Sequence, residues 1–95
     1  MSRLEESKKA FIEELTHRGA EAGKQAAENM DYEMLWKLRK ATDRGAEIET
    51  LDQLMKVVET DVNELFGDEF KDESDETEFI VAWVESALAV FDAIP

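Results

Sequence analysis

Apolar residues recur at Leu51, Leu54, Met55, Val58, Val62, Leu65 and Phe66. The series steps by three and four, and only a helix of about 3.6 residues per turn gathers all seven on one face. The same step runs through the rest of the chain. Leu4, Phe11, Ile12, Leu15, Gly19, Ala22 and Ala26 share one arc of a helix predicted over 3–29, with Ser2 and Glu5 at capping-box spacing. Met34, Leu35, Leu38 and Ala41 mark a second helix over 32–44, opened by Asp31 and stopped by Gly45. The third, over 51–66, starts at Thr50 with Gln53 completing a capping box, and Gly67 ends it.

The fourth helix, over 76–93, carries Phe79, Ile80, Val81, Trp83, Val84, Ala87, Leu88, Val90 and Phe91, with Ile94 just past its end. Its apolar face is wider than the one-sided stripe of a surface helix. It is therefore expected either at the centre of the bundle or partly covered by a second subunit. The β-branched pairs Val57-Val58 and Ile80-Val81 sit inside helical periods, so no strand is read. The expectation is a single all-α domain over 1–95, four-helix bundle-like, with an acidic surface and no β-sheet.

Gly19 and Gly23 interrupt the first helix, each at a propensity cost of about 1 kcal/mol relative to alanine. With Ala20, Ala22, Ala26 and Ala27 around them, they predict close approach of another helix rather than a break. The spacing is that of membrane helix dimers, but these surroundings are too polar for a bilayer.

Charge is the second constraint. The chain carries 24 Asp/Glu against 11 Lys/Arg, net −13. Residues 1–48 are near balance, whereas residues 49–95 hold two Lys/Arg against fourteen Asp/Glu, net −12. Binding nucleic-acid phosphates requires Lys and Arg to displace counterions, so direct nucleic-acid binding is not expected. Anionic membranes are disfavoured on the same ground. Phe79 to Ile94 contains Glu85 and Asp92 and is too short to span a bilayer. No secretory apolar stretch follows the polar opening residues, and a cytoplasmic protein is expected. The acidic connection 68–77, with Phe70 as its apolar exception, is expected to be mobile because its charges repel.

Catalytic and metal chemistry find little support. There is no cysteine, hence no thiol nucleophile, disulfide or thiolate ligand. Glu14 and His17 have the Glu-x-x-His spacing of di-iron bundles but fall away from the arc of Phe11, Ile12 and Leu15. A calcium loop started at Asp68 or at Asp72 lacks the glycine that the sharp turn requires. Acyl-carrier proteins are small, acidic and helical too, but need an Asp-Ser-Leu-like serine, and Ser74 stands in Glu-Ser-Asp. No metal or cofactor is assigned, and no enzymatic activity.

What remains is recognition. The carboxylates Asp61, Glu64, Asp68, Glu69, Asp72, Glu73, Asp75, Glu76 and Glu78 form the expected anionic surface, and a basic protein surface is its natural partner. Tyr32 and Trp36, one turn apart on the side of the second helix away from Met34 and Leu38 and flanked by Arg39 and Lys40, either are a binding hot spot, being of the types enriched there, or pack with Trp36 on another helix of the bundle and Tyr32 at its edge. The expected function is an acidic protein-binding module, an inhibitor imitating nucleic-acid charge against a nucleic-acid-binding protein, of the kind bacteriophages and mobile elements make. The alternative is a homodimeric adaptor seamed along the wide fourth helix.

Overall fold

The computed structural model describes residues 3–43, 48, 50–59, 70 and 73–94. Among them lie four helices and no strand: α1 Arg3–Asn29, α2 Tyr32–Asp43, α3 Leu51–Val58 and α4 Glu73–Asp92. The chain is the small all-α, bundle-like domain that its periodicity predicts. No helix among the described residues is long and apolar enough to cross a membrane.

The wide apolar face of α4 places it at the centre, packed on each of the other three helices. Phe79, Ile80, Ala82, Trp83, Val84 and Ala87 are all buried along it. Leu35 and Leu38 of α2 and Leu51, Leu54 and Val58 of α3 close the same core.

α1 meets α4 through its smallest residues. Its buried row is Leu15, Gly19, Gly23 and Ala27, one residue per turn. A Cβ placed on Gly19 would lie 2.6 Å from the carbonyl oxygen of Phe79. One placed on Gly23 would overlap the backbone of Trp83, 2.8 Å from its carbonyl carbon. The glycines therefore serve close packing, as their setting in the sequence predicts. Gly19 faces Phe79 and Gly23 faces Trp83, so both helices advance in the same sense and run parallel.

That register explains an expectation the structure corrects. Counting back from Gly19 and Phe79, the first residue of α4, Glu73, stands level with Glu13. The earlier turns of α1 project beyond α4, and Leu4, expected on the core arc, is 81% exposed.

The caps follow the sequence where they are described. Asp31 Oδ1 accepts the Met34 N–H at 2.8 Å and opens α2. In the capping box of α3, Thr50 Oγ1 accepts the Gln53 N–H at 3.2 Å and Gln53 Oε1 accepts the Thr50 N–H at 3.3 Å.

Two boundaries differ. α3 ends at Val58, not at 66, because Glu59 adopts the left-handed conformation (φ 53°, ψ 30°), with its N–H donating to the Met55 carbonyl at 2.7 Å. A residue in that conformation turns the chain out of the right-handed spiral. Val62, Leu65 and Phe66, with the boundary residues Ser2, Gly45 and Gly67, lie outside the described residues. α4 starts at Glu73 rather than 76, so the second half of the expected mobile connection is helix. Glu73, Asp75 and Glu76 in its first turn suit the positive end of the helix dipole. Thr77 Oγ1 donates to the Glu73 carbonyl at 2.9 Å. Phe70 packs its ring 5.2 Å from that of Phe79.

Gly23→Ala is expected to destabilise the fold despite the helix propensity it gains. Overpacking against backbone costs about 1–3 kcal/mol or more, against about 1 kcal/mol of propensity. Urea denaturation of the variant should show a lower midpoint. Glu59→Gly removes a side chain from a left-handed position and is expected to raise stability by about 0.5–1 kcal/mol in the same assay.

Candidate binding surface

α4 buries most of its circumference and leaves a narrow outer strip. Glu78, Glu85 and Asp92 recur along that strip every seven residues, and Val81 and Ala89 are exposed with them; Glu73 is exposed at the first turn, on the side of Ile80 and Val84. Seven residues are two turns, so successive carboxylates of the row stand about 10.5 Å apart. Among the described residues, Glu73, Glu78 and Glu85 form no ion pair with lysine or arginine. Asp92 does: its Oδ2 lies 3.6 Å from Arg39 Nη1 across the gap to α2. That pair is solvent-accessible and contributes little to stability.

The other expected carboxylates divide. Asp75, read from the sequence as part of the outward array, is 7% exposed and buried against the bundle. Glu76 is half-buried and its Oε1 accepts the Leu51 N–H at 2.9 Å. It supplies a negative charge and an acceptor to the N-terminus of α3, where backbone N–H groups lack helical partners. Neither points into solvent as the linear charge run suggested. The packing of α4 on its neighbours turns the sides that carry them inward. Asp61, Glu64, Asp68, Glu69 and Asp72 lie outside the described residues.

Glu85 was not among the sequence-expected carboxylates. It sits inside an apolar run, far from the acidic cluster, and the signal that could have found it is its heptad spacing from Glu78 and Asp92.

On α2, Tyr32 and Trp36 are 60% and 46% exposed. Tyr32 rests its ring 5.4 Å from that of Phe91 in a tilted stack, at the C-terminal end of α4. Lys40 Nζ stands 5.3 Å from the Trp36 ring centroid, a cation–π contact at an exposed site. Arg39 turns toward Asp92 instead. The aromatic pair is thus an outward surface of α2, with Tyr32 tied at one edge to α4. Glu14 and His17 are both exposed on α1.

No family model, no curated protein and no solved structure matches this chain.

Replacing Glu76 by alanine removes a charged cap from α3 and its tie to α4. The expected loss is about 1–2 kcal/mol of unfolding free energy, read by urea denaturation, with Glu78→Ala as a neighbour that should leave the midpoint nearly unchanged.

Proposed function

We propose that this protein is a non-enzymatic acidic binding module that occupies a basic surface on a nucleic-acid-binding target and so inhibits it. The observation that carries this reading is the outer strip of α4. Its Glu78 and Glu85, with Glu73 at the helix start on another side, are exposed, and among the described residues they have no cationic partner. Surface charges left unneutralised in a half-chain of net −12 supply the long-range field that steers a basic partner.

Charge spacing sets a limit on the mimicry. B-DNA carries one charge per about 1.7 Å of its axis, against one per about 10.5 Å along the α4 row. The row therefore supplies alignment rather than full density. Under this reading Asp61, Glu64, Asp68, Glu69 and Asp72 add the rest. The site of action is the cytoplasm, where such targets work.

The homodimeric adaptor has less to draw on. α1, α2 and α3 take up the breadth of the apolar face of α4. A two-fold seam on the remaining strip would set Glu78 and Glu85 of one copy against those of the other.

The test compares the wild-type chain with Glu73→Gln/Glu78→Gln/Glu85→Gln, both immobilised in lysate of the native host. The wild type is expected to retain a basic, nucleic-acid-binding protein at low salt and release it at high salt, as phosphate-like contacts demand. The triple variant, folded by circular dichroism, should retain it at least tenfold less. The purified target should lose its nucleic acid when the wild-type chain is added. Equal retention by both chains, or a target that keeps its nucleic acid, overturns the reading.

A further inference from the structure

Trp36, Lys37, Lys40 and Ala41 line a shallow groove of 280 Å³ on the outer side of α2. It is an aromatic and cationic patch on a chain of net −13. Among the described residues neither lysine is ion-paired. Glu33, one turn before Lys37, is exposed on the same side and leaves the local balance at one positive charge. An indole face beside two ammonium groups fits an apolar side chain with carboxylates around it.

The chain displays that pattern itself. Val81 is 46% exposed on the outer strip of α4, with Glu78 one turn before it and Glu85 one turn after. The two surfaces cannot meet within one molecule. α2 already packs on the bundle through Leu35 and Leu38, which turns Trp36 away from it.

We infer that the α2 groove docks the α4 strip of a second copy, with Val81 on the Trp36 indole and Glu78 and Glu85 against Lys37 and Lys40. The contact joins two different faces, so it is heterologous: each copy keeps a free groove at one side and a free strip at the other. Assembly then continues beyond a pair. The overall negative charge opposes it, but at physiological salt the screening length is about 8 Å. Distant charges are damped, while pairs in contact are not. The patch is small, so association is weak. The inference rests on the outer strip being accessible, as in the proposed function. It adds that the strip is partly occupied by the chain itself until a stronger basic target displaces it.

Sedimentation of the full chain at physiological salt, from about 10 µM to about 1 mM, covers the range expected for so small an interface. Tryptophan emission reads the groove directly, because Trp83 is 1% exposed and only Trp36 can change its surroundings on docking. The weight-average mass is expected to rise from the 10.9 kDa monomer past the dimer, with a blue shift of emission. Trp36→Ala should remain monomeric. So should Lys37→Glu/Lys40→Glu and Glu78→Lys/Glu85→Lys, each alone, while an equal mixture of these two charge-reversed chains should associate again. A wild type that stays monomeric throughout, association untouched by Trp36→Ala, or charge-reversed chains that ignore each other would overturn the inference. Failure here with salt-sensitive target capture intact leaves the role of the α4 strip standing. Self-association without such capture does the opposite.

Discussion

The contact of Gly19 and Gly23 with the backbone of Phe79 and Trp83 organises the molecule. Two glycines one turn apart let α1 come against the peptide groups of α4, closer than any side chain would permit. Their Cα–H groups then point at carbonyl oxygens, a weak attraction that recurs where helices meet this closely. Dispersion gains from the short distance add to it. This approach leaves Phe79, Trp83 and Ala87 no route to solvent on that side, and they form the floor on which α2 and α3 are laid. The propensity cost of two glycines inside a long helix is the counterpart of that fit.

The helices and their caps could be read from residue spacing because they are local. Asp31 and Thr50 with Gln53 each act within a turn of themselves, and the small residues around Gly19 announce a close approach without naming the partner sixty residues away. What could not be read is long-range. Glu76 caps a helix twenty-five residues earlier in the chain, and nothing in its neighbourhood announces it. Asp75 looks like one more carboxylate in an acidic run, yet the packing of α4 buries it. Leu4 keeps the period of its helix but stands exposed beyond the start of α4, since register between α1 and α4 is a tertiary property. The left-handed turn at Glu59 occupies no glycine, so the apolar series runs through it on paper while the helix does not.

The candidate surface shows the same division. The exposure of Tyr32 and Trp36 was not legible from spacing, because aromatic residues opposite an apolar stripe either face outward or find a partner helix, and spacing does not choose between the two. The acidic surface was legible as a quantity and not as a pattern. Net charge located it in the C-terminal half, but which carboxylates cap, which are buried and which face water depended on the orientation of α4. The fold separates the charges that maintain it from those that face solvent.

The parallel course of α1 and α4 bears on how the chain reaches this state. The two helices that share the tightest contact are joined by no hairpin, and the intervening chain, with α2 and α3 in it, must double back before Gly19 can find Phe79. Closing so long a segment costs entropy that no nearby contact repays in advance. Up-and-down bundles assemble neighbour on neighbour and fold fast for that reason. Here the tightest pairing is also one of the most distant in sequence, and until α4 is in place the glycines of α1 have no backbone to lie against.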